Sequence, residues 1–366
     1  MPRAARRGAG MAWLLTGIAL IALGVSDADA RQKARGQTRH RAVHGPSYHP
    51  PYAALVVDAN TGQVLHQVSA DEPRHPASLT KIMTLYMLFE QLEARNLRLD
   101  SPLPVSVHAS EQAPTKLGLR PGQTIAVEDA IKGLVTKSAN DAAAVIAEAI
   151  AGTEEEFAER MTRKARALGM SGTTYVNASG LPAEAQITTA RDQVTLGRAI
   201  QTRFPQYYGY FATPRFQYRG ASMNNHNTLL ATVDGVDGIK TGYTEASGYN
   251  LVTSVHRNNR HLVCVVLGGT SNGQRDARMR QLIEENIMRG SIDRTAPAIV
   301  ENPDLEKDAT YSLTSSKSKP VAPAAIAEPP APAGDADVGT SVAKPAVLDP
   351  PPPVAPTSTL STGGTP

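Results

Sequence analysis

The chain has 366 residues, 41% of them hydrophobic and 19% charged, with 37 basic against 34 acidic side chains. That length and apolar content allow one large domain or two small ones, and a single cysteine excludes a disulfide-built scaffold. A net charge of +3 excludes a nucleic-acid binder that works by bulk electrostatics.

Residues 1–30 carry the pattern of an export signal. Arg3, Arg6 and Arg7 lead into an apolar run over residues 11–25, with the small residues Ala28 and Ala30 after it. The run falls short of the roughly 20 residues that span a bilayer, so cleavage is expected rather than anchoring. Export would deliver the protein to the periplasm, or to the cell-wall face of a cell with one membrane. Residues 31–47 are basic and aperiodic and are read as a flexible segment.

Residues 48–291 are read as the folded domain. Residues 52–58 and 63–67, joined through Asn60-Thr61-Gly62, form a predicted β-hairpin. Residues 78–93 form a predicted helix, because Leu79, Ile82, Met83, Tyr86 and Phe89 repeat at helical spacing. It has so few polar positions that burial on most sides is expected. Residues 127–136 and 141–150 are a helical pair broken at 137–140, and residues 154–168 are a more charged, surface helix.

From residue 236 the period changes to two. Residues 236–243, 249–256 and 261–268 read as strands and residues 274–288 as a closing helix. Strands at both ends with helices between them predict an α+β fold. One antiparallel sheet would be built from the first hairpin and the last three strands, with a helical subdomain inserted. Cys264 lies in an apolar run and is read as a small buried hydrophobe. Residues 292–366 hold about half of the 27 prolines and are read as a disordered tail. The tail shows no basic amphipathic helix that would hold a membrane face.

The chemistry sits at the breaks between elements. Ser78-Leu79-Thr80-Lys81 puts a hydroxyl and an amine on one face of a helix start, close enough for the amine to take the hydroxyl proton. Free backbone N–H groups of that first turn favour a developing oxyanion. The amine can serve as base only where burial or a neighbouring cation lowers its pKa. The same four-residue pattern recurs at 316–319 and 341–344, so alone it is unspecific.

Ser138-Ala139-Asn140 offers a second hydroxyl and a carboxamide on an interhelical turn, where both residue types also serve as ordinary caps. Lys240-Thr241-Gly242 occurs once, on a strand beside a turn. There a Lys and a Thr can offer a positive field and a hydroxyl to a carboxylate, and Gly242 leaves room for a substrate backbone. The three motifs in this order resemble the set found in serine β-lactamases and penicillin-binding proteins.

The stretches His75-Pro-Ala-Ser-Leu-Thr-Lys81, Lys137-Ser-Ala-Asn-Asp-Ala142 and Val236-Asp-Gly-Ile-Lys-Thr-Gly-Tyr-Thr244, with Gly248-Tyr-Asn250, narrow the resemblance. They are similar to the D-alanyl-D-alanine carboxypeptidase family, the low-molecular-mass penicillin-binding proteins of serine peptidase family S11. That resemblance implies a β-lactamase/transpeptidase-like fold with a five-stranded antiparallel sheet.

It also implies roles. Ser78 would be the acylated nucleophile, Lys81 its base, and Ser138 the proton relay to the departing D-alanine. Asn140 would bind the substrate peptide, Lys240 would tune the pocket, and Thr241 would hold the terminal carboxylate. Backbone N–H groups of Ser78 and Tyr243 would form the oxyanion hole, and Arg275 would recognise a carboxylate. The expected partners are peptidoglycan stem peptides and β-lactams. No cofactor or metal is expected, because the chain has no H-E-x-x-H and no Cys/His cluster.

The chain departs from the commoner pattern at Ala139, where Gly is frequent, and at Tyr243, where His is often found. Only the Pro-rich tail follows residue 291, so the expectation is an enzyme with no firm membrane anchor after signal cleavage. Endopeptidase action on crosslinks is the alternative activity. A class A β-lactamase would need a further carboxylate to drive deacylation, and residues 170–182 contain none. Slow deacylation after penicillin is therefore expected. A non-enzymatic wall-binding module is the remaining reading, and an intact Ser78/Lys81 pair argues against it.

Overall fold

The computed structural model describes residues 49–305. The expected export signal, the basic segment through residue 48 and residues 306–366, with the repeats at 316–319 and 341–344, lie outside the described residues.

The predicted hairpin forms as β1 (Ala53–Asp58) and β2 (Val64–Val68). A 3₁₀ turn, Ala77–Leu79, runs directly into α1 (Thr80–Glu93). Next come β3 (Pro102–Pro104), α2 (Val107–Glu111), β4 (Thr124–Ala126), α3 (Val127–Thr136), α4 (Asn140–Ala151) and α5 (Glu154–Ala167). Sequence periodicity did not resolve the following stretch, which contains α6 (Ala190–Arg203), α7 (Pro205–Tyr208), β5 (Arg215–Tyr218), β6 (Ala221–Asn224) and α8 (Leu229–Thr232). The strands β7 (Val236–Thr244), β8 (Gly248–Arg257) and β9 (Arg260–Gly269) and the helix α9 (Asn272–Asn286) close the fold.

The first hairpin and the last three strands do share one sheet, in the order β2-β1-β9-β8-β7, and every pairing is antiparallel. Both faces of its centre are covered, and strand alternation divides the side chains between two cores. Leu55, Val57, Val263, Val265 and Leu267 point into a core shared with α1, α3, α4, α5 and α6. Ala54, Val56, Leu262, Cys264 and Val266 point into a second core against Met279, Leu282 and Ile283 of α9. Burial on both faces explains why these strands read as unbroken apolar runs, and Cys264 is a packing residue there.

As predicted, α1 is buried along its length: every residue from Thr80 to Phe89 is shielded. The helix read as a charged surface element, α5, is amphipathic instead. Phe157, Ala158, Met161 and Ala165 face inward, while its charges lie on the other side.

The start of the tail is displaced from the sequence expectation. Residues 292–305 are described, and several pack on the folded body. Thr295 and Ala296 N–H donate to Asn60 O, and Asn302 N–H donates to Ala167 O. Glu301 accepts from Tyr86 Oη at 2.8 Å on α1, from Lys164 Nζ at 2.6 Å on α5, and from Arg203 on α6. A Pro-rich composition hid this carboxylate, which ties three helices together. Glu301→Ala removes an acceptor from Tyr86, Lys164 and Arg203, although Lys164 keeps Glu90 and Arg203 keeps Glu90 and Glu93, and it should cost about 2 kcal/mol. Thermal unfolding should then start about 5 °C lower; an unchanged midpoint would show that the segment is ornamental.

Candidate active site

The segment that carries Ser78 is held under backbone constraint. Ala77 has φ of 48°, a left-handed conformation uncommon for a residue with a Cβ. Asn250 of β8 fixes this segment from behind, donating from Nδ2 to His75 O at 3.1 Å and to Pro76 O at 3.3 Å. Two glycines close on it. A Cβ on Gly180 would lie 1.9 Å from Ala77 O and 2.9 Å from Ser78 N, and one on Gly242 would lie 3.1 Å from Ser78 N. Gly242 was expected to make room for a substrate backbone. The backbone pressing on it is the nucleophile's own turn.

Lys81 lies one turn into the chain from Ser78 and is fully buried. Its Nζ is 3.2 Å from Ser78 Oγ, donates to Asn140 Oδ1 at 2.7 Å, and also reaches Ser179 O. Burial, then the Lys240 charge, hold the Lys81 amine well below the ordinary lysine range; Glu154 and Asp141 pull the other way. This is the environment that makes an ammonium shed its proton more readily than a solvated lysine does.

Ser138 and Asn140 are placed by the break between α3 and α4. Ser138 also has a left-handed backbone, with φ of 60°. Its Oγ is buried and has no hydrogen-bond partner among the described residues. A buried hydroxyl left without a partner is costly unless something else engages it. Asn140 is fixed at both ends of its carboxamide, because Nδ2 donates to Ala113 O at 2.8 Å. The neighbouring Asp141 pins the facing loop by accepting from Leu117, Gly118 and Leu119 N–H.

β7 is the edge strand of the sheet and contributes Lys240 through Tyr243. Lys240 is 2% exposed, and burial and then Arg275 push its amine down to about 7. Thr241 is buried at the cleft wall, whereas Tyr243 is exposed and lies against Tyr249 with ring centroids 4.3 Å apart and planes tilted by 32°. Arg275 is buried too, but its charge is already shared. Its Nε and Nη2 donate to Asp276 Oδ1 at 2.9 and 2.7 Å.

Seven of the nine residues singled out from the sequence line one cleft of about 680 Å³: Ser78, Ser138, Asn140, Thr241, Gly242, Tyr243 and Arg275. The other two, Lys81 and Lys240, sit just behind that wall. Lys81 contacts Ser78 and Asn140, and Lys240 donates to Thr241 O. Three separate segments therefore meet at one site.

Several parts of it were given no role by sequence reasoning. His226 lines the cleft, flanked by Asn225 and Asn227, whose carboxamides pin the loop to Thr213 O and Gly238 O. Burial, then Lys240, Lys137 and Arg275, push its imidazole down to about 4, so it is neutral at ordinary pH. The strip 177–180 lies in a stretch that shares the family resemblance, 177–181, but no role was assigned to it from sequence. Asn177 Oδ1 accepts from Gly180 N–H at 2.7 Å, Thr84 Oγ donates to Ala178 O at 2.6 Å, and buried Glu154 accepts from Ala178 N–H at 2.9 Å. An Asn three residues before a Gly signals such a turn, but its contact with Ser78 is long-range.

The arrangement supplies a hydroxyl beside a low-pKa amine, a second free hydroxyl and a cationic wall that opens along a sheet edge. It can carry out acyl transfer through serine.

Comparison with known proteins agrees with the geometry. A family model described as D-alanyl-D-alanine carboxypeptidase, peptidase S11, matches residues 41–271, more than half of the chain. The D-alanyl-D-alanine carboxypeptidase DacC of Escherichia coli is 36% identical over 227 residues, covering 60% of this chain and 57% of that protein. A D-alanyl-D-alanine endopeptidase of Pseudomonas aeruginosa is 31% identical over 243 residues, covering 63% of this chain and 76% of that one. Penicillin-binding protein D2 of Listeria monocytogenes, solved in an ampicillin-bound form, superposes with a TM-score of 0.59 at 29% identity, covering 63% and 95% of the two chains. The chain spans about three fifths of the length of the curated carboxypeptidases it matches. The mixed fold with a five-stranded antiparallel sheet is that of these penicillin-binding and transpeptidase structures.

Proposed function

This chain belongs to the D-alanyl-D-alanine carboxypeptidase family, and from that premise we propose that it removes the terminal D-alanine from peptidoglycan stem pentapeptides through an acyl-Ser78 intermediate. The observation that carries this reading is the 3.2 Å approach of Ser78 Oγ to a fully buried, low-pKa Lys81 amine.

In this mechanism the Lys81 amine takes the Ser78 proton as Oγ attacks the penultimate D-alanine carbonyl. The oxyanion forms against the N–H groups of Ser78 and Tyr243. Ser138, whose hydroxyl has no partner among the described residues, passes its proton to the departing D-alanine nitrogen and recovers one from the Lys81 ammonium, which returns the amine to its neutral form. Thr241, with Lys240 and Arg275 behind it, receives the terminal carboxylate, and Asn140 orients both Lys81 and the substrate amide. Water then attacks the acyl-serine and releases the tetrapeptide. A β-lactam follows the first half of this path, and its leaving nitrogen stays tethered.

Two neighbouring cations make the pH profile diagnostic. Acylation rises as Lys81 loses its proton. It falls above about pH 7, where Lys240 loses the charge that attracts the carboxylate. Lys240→Arg keeps the charge at higher pH and should move the falling limb of kcat/KM upward by at least one pH unit. A limb that stays in place would mean that another group titrates.

The alternative is D,D-endopeptidase action on crosslinks, since both reactions share the acyl-enzyme. The endopeptidase relative supports keeping it second. Incubation with purified pentapeptide and with crosslinked muropeptides, followed by mass spectrometry, separates them. We expect D-alanine release and no new monomers; monomers without D-alanine would reverse the order.

In the same reading residues 1–30 direct export and are removed, and residues 48–291 form the catalytic domain. The enzyme works in the periplasm, or outside a single membrane, where its polymer substrate lies.

A further inference from the structure

Glu154 is a buried carboxylate that the acylation mechanism does not use. It is the first residue of α5, where the free N–H groups of a helix start favour an acid. Glu155, in the same turn, is exposed, but Glu154 is only 6% exposed and turned inward. Its Oε1 accepts from Ala178 N–H at 2.9 Å, next to the Ser179 carbonyl that Lys81 Nζ reaches. Its Oε2 meets His108 Nε2 of α2 at 2.6 Å and accepts from Gln112 Nε2 at 3.3 Å. The His108 side chain is 49% exposed. A line of contacts therefore runs from solvent, through an imidazole and a carboxylate, to the surroundings of the base.

Two acids, Glu154 and Asp141, act on the Lys81 amine against burial and the Lys240 charge. They differ in how they are held. Asp141 accepts from the main-chain N–H groups of Leu117, Gly118, Leu119 and Ala142, none of which titrates. Glu154 has a titratable partner, and that partner faces water. The hydrogen bond to Glu154 raises the His108 imidazole above the ordinary histidine range; burial opposes it, and the charges of Glu154, Glu148 on α4 and Glu155 on α5 add to it. An imidazolium at this position screens the Glu154 charge from Lys81, and a neutral imidazole leaves that charge in full force.

We propose that His108 is a positioning residue for the general base: its imidazolium, acting through Glu154, offsets the negative charge that Lys81 feels. With the imidazolium in place, Lys81 releases its proton at lower pH. The inference rests on the reading of Lys81 as the base for Ser78.

The test is the pH profile of acylation by a chromogenic β-lactam, for the wild type, His108→Gln, Glu154→Gln and the double variant. Each substitution keeps a hydrogen-bonding group in place and removes a charge. His108→Gln should move the rising limb upward by about half a pH unit, roughly threefold in rate at a fixed pH on that limb. Glu154→Gln should move it downward by about as much, and the double variant should follow Glu154→Gln, because His108 acts only through that carboxylate. In Glu154→Gln, imidazole NMR should show His108 titrating closer to the ordinary histidine range. A limb that stays in place, or that moves the same way in both single variants, would overturn the inference. A lower rate with no movement of the limb would do so too, leaving the pair a structural clamp. A wild type that is not acylated at any pH would instead overturn the reading of Ser78 and Lys81 on which the inference rests.

Discussion

Lys81→Met should lower the rate of Ser78 acylation, by peptide and by penicillin alike, by about 10³-fold, within the range that a positioned general base supplies. The substitution keeps the length and apolar stem of a side chain with no solvent exposure and removes only the amine. The amine's other contacts, Asn140 Oδ1 and Ser179 O, would be left without a donor. Each such loss costs about 1–3 kcal/mol, partly offset because a charged form no longer has to be desolvated. Stability should therefore change modestly while acylation collapses. Stopped-flow acylation with a chromogenic β-lactam, alongside thermal unfolding, reads both. A rate within tenfold of wild type would remove Lys81 from the chemistry and leave it a packing residue.

Gly180→Ala is the second large effect, and it acts through the backbone. Its φ is 85°, and the added methyl would meet Ala77 O at 1.9 Å and Ala77 C at 2.3 Å. Those are main-chain atoms of the turn that positions Ser78, itself held by Asn250, so they cannot swing aside as a side-chain tip would. Overpacking together with a left-handed alanine should cost about 3 kcal/mol or more. For a domain of this size that is roughly 10 °C in unfolding midpoint. Acylation should fall with it, because any relief moves Ser78 N. Gly122→Ala is the control: it has a similar φ of 77° and nothing within 4 Å of the new atom, so it should lose about 1 kcal/mol and no activity. If both variants unfolded alike, the close approach at Gly180 would carry no special weight.

What the sequence made legible follows from the range of each signal. The buried start of α1, the interhelical turn at Ser138 and the edge strand with Lys240 were readable because local periodicity and residue type set them. The common sheet followed from strands at both ends of the domain. The secondary structure and roles within residues 170–235 were opaque for the opposite reason. There β5 and β6 are largely exposed and bury only Phe216 well, and the strip 177–180 is held by side-chain bonds rather than by a regular ladder. Gly180 and Gly242 acquire their roles from contact with Ser78, about a hundred residues or more away. Glu301 escaped notice because a carboxylate in a proline-rich stretch looks solvated until Lys164 and Arg203 are placed around it.

Glu154 belongs to the scaffold of the site: it is buried and accepts from Ala178 N–H at 2.9 Å, one residue before the Ser179 carbonyl that Lys81 contacts.

The central claim is that Ser78 is the residue that becomes acylated. The most direct measurement is peptide mapping by mass spectrometry after brief exposure to benzylpenicillin, on the wild-type chain and on Ser78→Ala. The account predicts a single penicilloyl adduct on the peptide containing Ser78, persisting for many minutes, and none in the variant. An adduct on another residue, or equal labelling of Ser78→Ala, would contradict it.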